Sequence, residues 1–378
     1  MRLWRTRLVV ASSVLGIAVS ASLLGVTDAH AQGCVASRMN APSSPTDQTG
    51  NEYYLKDGKW QASFGYRNFM SHRHFVGDVE QDGRPGTTDR RKNEVINHVN
   101  IPELIVAYGI TDRFSAALDL PLDILHRRNP PSAATATRPA VPPVYTDGNG
   151  IGDLTLLARY WVANPTQHSN QNISVGLGFK LPTGKDDING TFKRVVNNTL
   201  QDWVHPVDQS IQPGDGGFGY IAELQAFKSF GSVTAFLPGG YLFNPKGTNG
   251  VQTGRSNPNE AIMSVADQFG ARVGVGMPLR FARGLAVSLG ARLEGVPSSD
   301  VFRSSAGFRR PGYSVGIEPG VSYSWKSTAF SFSVPYLVYR NRTQSYADKL
   351  ATVATGTFVN GDAAFADYIF IAGFTKRF

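Results

Sequence analysis

Beyond residue 58 the apolar side chains fall at every second position, and no long stretch repeats at the helical period of 3.6. In ISVGLGFKLP, Ile173, Val175, Leu177, Phe179 and Leu181 share one face while Ser174, Gly176, Gly178 and Lys180 share the other. FSAALDLPLDI sets Phe114, Ala116, Leu118, Leu120, Leu122 and Ile124 against Ser115, Ala117, Asp119, Pro121 and Asp123. LAVSLGARLE and the closing DYIFIAGFTKRF keep the same rule. Successive residues of a strand point to opposite sides, so an all-β protein with one oily and one small or charged side is predicted. Twelve strands are expected near residues 59 to 69, 95 to 108, 114 to 124, 152 to 162, 173 to 182, 218 to 228, 233 to 243, 266 to 279, 285 to 295, 313 to 324, 329 to 340 and 367 to 378.

The connections sort by length. GITDR, SFGS, RFARG and WKST are short, and ANPTQHSNQN is the one longer turn on that side. The alternate gaps, about 70 to 94, 125 to 151, 183 to 217, 244 to 265, 296 to 312 and 341 to 366, are long. A soluble sandwich has no reason to sort its loops this way, whereas an outer-membrane barrel has short periplasmic turns and long extracellular loops. Strands of about ten residues, rising roughly 3.3 Å each and tilted by about 40°, cover roughly 25 Å, the height of the apolar band on such barrels. The fold expected is a transmembrane, antiparallel, up-and-down β-barrel over residues 59 to 378.

Charge placement agrees. Arg67, Glu103, Asp119, Asp153, Arg159, Lys180, Glu223, Arg272, Arg292, Glu294 and Glu318 all fall at the parity opposite the oily face. They are the candidate pore-lining residues, because a Lys or Arg facing lipid at mid-height costs about 2–4 kcal/mol. Arg159 and Arg272 are expected to pair with Glu223. Lys228, Arg340 and Lys376 break the parity, each near a strand end where an interfacial site is cheap. The last strand, with Tyr368, Phe370, Ala372 and Phe374, is expected to close the barrel against Trp60, Ala62, Phe64 and Tyr66 of the first, leaving no unpaired edge. Phe378 is read as the C-terminal aromatic used as an assembly signal, with Lys376 a departure from the usual pattern.

The N-terminus supplies the route. MRLWRTR is a basic n-region, an apolar stretch follows, and Ala29-His30-Ala31 is a small-x-small cleavage site. Residues 1 to 31 are therefore expected to be a Sec-type signal peptide of a Gram-negative exported protein. Residues 32 to 58, rich in Ser, Pro, Asn and Thr, are expected on the periplasmic side, disordered or as a partial plug. Cys34 sits in AQGC, close to a lipoprotein box, but Gln32 and Ala31 depart from it; one cysteine also rules out an internal disulfide. Cleavage removes three arginines and Asp28 and lowers the formal net charge from +8 to +6. That mild excess, with runs such as RRK at 90 to 92 in polar segments, points away from nucleic acid. With 40 Gly, 22 Phe and 14 Tyr and only 17% charged residues, the composition suits one large all-β unit.

GNGIGDLTLLARYWV followed by ISVGLGFKLPTGKDD, together with SHRHFVGD and TDRFSAALDLPL, resembles the outer-membrane barrels of the "MetA-pathway of phenol degradation" family over about residues 60 to 378. The resemblance implies an exported barrel that passes aromatic or other hydrophobic small molecules, and it carries no catalytic or binding residues over. The strand-end Gly150, Gly152, Pro182 and Gly184 are structural first.

Enzyme chemistry finds little support. No metal-binding histidine spacing and no Gly-x-Ser-x-Gly elbow occurs. His72 and His74 are read as solvated histidines of the first long loop, and Asp215-Gly216-Gly217 as a bend rather than a calcium loop. No cofactor or metal is expected. The function expected is a passive channel for small solutes, with outer-membrane lipid, the barrel assembly machinery and the solute as partners. Alternatives are a phospholipase-type barrel enzyme and a non-transporting adhesin or scaffold barrel. A twelve-strand lumen is narrow enough for loops to obstruct.

Overall fold

The computed structural model describes residues 54–81, 94–135 and 139–378, together with the strand Thr27–Asp28, which pairs with Val359–Asn360. The rest of the expected signal peptide, Cys34 and most of the segment 32 to 58 lie outside the described residues. Twelve barrel strands follow one another: β1 (Trp60–Val76), β2 (Ile96–Gly109), β3 (Phe114–Asn129), β4 (Val144–Ile151 and Thr155–Trp161), β5 (Gln171–Lys180), β6 (Gly219–Phe230), β7 (Val233–Phe243), β8 (Gln268–Pro278), β9 (Leu285–Val296), β10 (Gly312–Trp325), β11 (Thr328–Ser333 and Tyr336–Arg342) and β12 (Asp362–Arg377). Each pairs antiparallel with its neighbour, and β12 closes on β1 with Phe64 opposite Phe374 and Tyr66 opposite Ala372. Closure satisfies every strand edge, which an apolar surrounding requires.

The outer face is inside-out for a soluble protein: Leu177 is 72% exposed and Leu289 55%, while Arg67 is 2% exposed and Glu318 1%. Such a band is stable only against lipid, where apolar side chains meet apolar chains. Leu177→Arg is accordingly expected to lower the refolding stability of the barrel in lipid by about 2–4 kcal/mol. A neutral result in a urea titration would mean that Leu177 does not face the hydrocarbon.

Several strands run further on the long-loop side than the alternation extends. β1 continues to Val76, β3 to Asn129, and β12 begins at Asp362. Above the apolar band the outer face no longer needs oil, so the period-two signal fades although the ladder continues. His72 and His74 are therefore strand residues and not solvated loop residues. His74 is buried, its Nδ1 3.0 Å from Asp362 and its Nε2 3.3 Å from the Val95 carbonyl.

Two strands are interrupted. β4 leaves the ladder at residues 152–154, where Asp153 turns toward Lys180. β11 breaks at Val334-Pro335, and a bulge follows, since Val315 faces Tyr339 but the next residue, Gly316, faces Leu337. The extra residue, Val338, shifts the parity by one. Leu337 and Arg340 both point inward as a result, and Arg340 is buried with Nε donating to the Ala366 carbonyl at 2.8 Å. Its expected interfacial position is thus corrected by the bulge.

The long loops carry structure of their own. Asn189–Val196 and Thr199–Pro206 form a hairpin turning at Asn197-Asn198, both at positive φ. Thr248–Gln252 pairs with Ile262–Ser264. A helix, α1 (Tyr346–Thr355), starts at a Ser345/Asp348 capping box and stops at Gly356 with φ 69°.

Candidate functional site: the lumen and its lid

All eleven candidate charged residues lie inside the barrel, in two groups. Arg67, Arg272, Arg292, Glu294 and Glu318 form one buried network. Arg67 donates to Glu294 at 2.6 Å, Arg292 Nε to Glu318 at 2.7 Å, and Arg272 lies 3.0 Å from Glu318. Ser333 donates to the same Glu318 at 2.8 Å. The network bridges β1 to β8, β9 and β10 and fills that side of the lumen. Arg272 pairs here and not with Glu223, because β6 and β8 are separated by β7, whose Phe236 ring the Arg272 guanidinium covers at 5.4 Å.

The second group faces an open space. Arg159 donates to Glu223 at 2.9 Å; Lys180 contacts Asp215 and lies 3.4 Å from Asp153. Glu103, Asp119, Asp153, Lys180 and Glu223 line a cavity of about 210 Å³. The buried Oδ1 of Asp119 has no hydrogen-bond partner among the described residues. The cavity also has an apolar wall, built by Phe69, Val99, Ile101, Leu125, Ile221 and Leu242. These share the inward parity of Arg67, Glu103, Asp123 and Glu223, one or more steps further toward the long loops. A polar lower lumen thus passes into a mixed chamber.

The chamber is roofed by the segment 207–215. Val207 and Ile211 are fully buried and pack with Phe69, Val99, Ile101, Leu125, Leu337 and Ile369 inside the barrel. Burying two such side chains contributes about 1.5–3 kcal/mol each. Gln209, Ser210, Pro213 and Gly214 face the cavity. The backbone at Ile211 approaches β4 so closely that a Cβ at Gly148 would stand 1.5 Å from the Ile211 carbonyl oxygen.

A charge latch holds this lid. Arg310 donates to both oxygens of Asp208 at 2.9 and 2.7 Å, Arg127 of β3 lies 3.5 Å away, and the Ser210 N–H donates at 3.0 Å. Burial by itself would raise the pKa of Asp208, but the two guanidinium groups outweigh it and hold the carboxyl well below the usual range. Gln212 braces the other end, bonding the backbone of Ile188 and Val207. Neither Asp208 nor Ile211 was singled out by the sequence pattern, since the long segment has no alternation to read. Arg127 sits at the inward parity of Asp119 and Asp123 once β3 is extended to Asn129.

The remaining candidates sit apart. Asp215 is engaged by Lys180, with Gly216 at φ 73° making the bend. Among the described residues no group of three His, Cys, Asp or Glu is placed to hold a metal. Phe378 is exposed and its N–H donates to the Trp60 carbonyl at 2.9 Å. On the outer face His126 lies 2.6 Å from Asp147, and its cross-strand neighbours are His98 and Asp147, neither of them a serine.

No protein-family model matches this chain, and no curated protein matches it in sequence. Among solved structures it is similar to an outer membrane channel from Pseudomonas putida F1, with TM-score 0.53 and 12% identity over 89% of this chain and 100% of that one. It also matches the CymD monoaromatic hydrocarbon channel, with TM-score 0.45 and 10% identity over 86% and 89% of the two chains. The Pseudomonas putida toluene transporter TodX matches with TM-score 0.43 and 9% identity over 93% and 100%. The first of these shows a shared closed barrel.

Proposed function

We propose that this chain is an outer-membrane channel for the passive entry of small hydrophobic solutes, gated by the segment 207–215. The observation that carries the reading is the half-apolar chamber inside a closed barrel, roofed by a lid that is latched and not covalently fixed. Its wall offers a small apolar body contact on one side and carboxylates on the other, and the cavity is of a size for small molecules. The barrel shared with an outer membrane channel supports the location. The family resemblance of the strand motifs favours aromatic compounds as the solute. The charged residues of the open side, Glu103, Asp119, Asp153, Arg159, Lys180 and Glu223, then act as a hydrated lumen wall, the Glu318 network packs the opposite side, and Phe378 acts in assembly. This is a conduit reading and assigns no catalytic step.

Planar-bilayer conductance combined with liposome swelling tests it. Neutral monoaromatic solutes are expected to enter proteoliposomes faster than sugars of similar mass. Absence of any permeation, in the wild type and in a lid-opened variant alike, would overturn the channel reading and leave a scaffold barrel. Orientation has its own test. A tag in the 189–206 hairpin is expected to be reached by antibody on intact cells, and a tag at 281–284 only after permeabilisation; the reverse pattern would invert the barrel.

A further inference from the structure

The short-turn rim of the barrel carries charge of nearly one sign. Over residues 54–60, 109–114, 162–170, 228–233, 279–285, 325–328 and 376–378, nine Lys or Arg stand against two Asp. Lys56, Lys59, Lys228, Arg280, Arg283 and Lys326 are exposed. Both acids belong to a single corner, where Asp112 Oδ1 accepts the backbone N–H of Asp57 at 3.2 Å.

Large aromatic rings sit at the same level as these cations. Phe281 is 86% exposed between Arg280 and Arg283. The Lys326 ammonium lies 4.9 Å from the Trp325 ring, Lys228 5.5 Å from Phe230, and the Arg113 guanidinium 4.7 Å from Tyr160. Trp325 and Phe230 are themselves 59% and 61% exposed. A collar of cations alone is what a solvated rim looks like. Rings left open to water beside them are not, because each exposes apolar area at an unfavourable free energy unless something covers it. The collar is also continuous with the apolar band of the barrel, so the covering phase already lies against it. Rings at the boundary of the hydrocarbon with cations reaching the phosphate level match the head-group zone of a bilayer, and the sign of the charge selects anionic lipid.

We infer that the short-turn rim is a binding collar for anionic phospholipid head groups in the leaflet it meets. This depends on the barrel lying in a bilayer and is independent of what crosses the lumen. The test uses the full chain in detergent micelles doped with phosphatidylglycerol or phosphatidylcholine, with bound lipid counted by native mass spectrometry. The wild type is expected to retain phosphatidylglycerol in preference at low salt and to lose the preference at high salt. The combined variant Arg280→Gln, Arg283→Gln, Lys326→Gln is expected to bind it about fivefold more weakly per charge removed, with conductance and heat-modifiable folding unchanged. The triple Lys-for-Arg or Arg-for-Lys exchange at the same positions is expected to keep the preference, since charge and not fork geometry is used. Equal retention of the two lipids by the wild type, or an undiminished preference in the Gln variant, would overturn the inference. Displacement of the lipid by free glycerol phosphate at matched concentration would overturn it too, by showing a bare phosphate site in which the rings have no part.

Discussion

Removing the charge of Glu318, by Glu318→Gln, is expected to lower the stability of the barrel by about 3–5 kcal/mol. Its carboxylate is 1% exposed and is the point on which Arg292, Arg272 and Ser333 converge. Two guanidinium groups that share a carboxylate are held close together, and without it they repel each other in a space with little water to screen them. The loss should exceed that of any single alanine change on the open side of the lumen, such as Glu223→Ala, where the partner Arg159 is 28% exposed and can find water. A compensating variant separates the charge argument from simple misfolding. Replacing Glu318, Arg292 and Arg272 together by Leu, Leu and Met is expected to recover most of the stability, because a well-packed apolar cluster avoids desolvating the ions at all. Urea refolding in detergent reads both, and a loss below about 1 kcal/mol for Glu318→Gln would show the network to be solvated.

Asp208→Ala is expected to open the lid while leaving the barrel folded. The latch joins three parts of the chain through one carboxylate, and breaking a buried pair of this kind costs about 3–5 kcal/mol. Since each 1.4 kcal/mol is tenfold, the opening equilibrium should shift by roughly a hundredfold or more, seen as frequent open events where the wild type is mostly closed. Gly148→Ala should act in the same direction without any change of charge, because its Cβ would occupy the place of the Ile211 carbonyl oxygen. If neither variant alters conductance, the segment 207–215 is a fixed plug and not a gate. The latch also sets a pH expectation. The folded carboxyl is held below its unfolded value of about 3.9, so its stabilising contribution is complete above that value and is lost only as pH falls through the lower, folded one. Lid opening should therefore stay flat from about pH 8 to about pH 4. A rise in opening between those limits would assign the control to another group.

Much of this protein was legible as a strict alternation. Each of the twelve strands overlaps the stretch where the period-two pattern put it, although β1, β3, β4 and β12 run further toward the long loops, and the eleven charges lie on the inner side, because a bilayer penalises each misplaced side chain individually. The lower lumen follows from the same rule. The apolar wall of the chamber, Phe69, Ile101, Leu125 and Ile221, shares that inward parity, but it emerged only from the structure, Leu125 lying beyond the expected end of its strand. Alternation says which way a side chain points and nothing about whom it meets across the lumen. Arg272 could have met Glu223 or Glu318, and only the strand order and the intervening Phe236 decided it.

What the sequence by itself determined is the wall: strand number, facing, closure of β12 on β1, and the sorting of short turns from long loops. These are set by local geometry and by contact with lipid, both of which act residue by residue. What only the tertiary structure decided is the content of the barrel. The bulge at Val338 that turns Arg340 inward, the burial of His74, and the seating of Val207 and Ile211 under the Asp208 latch depend on partners from 21 to 288 residues away in the chain. No periodic surround constrains those positions, so their energies come from the particular groups the closed barrel brings opposite one another.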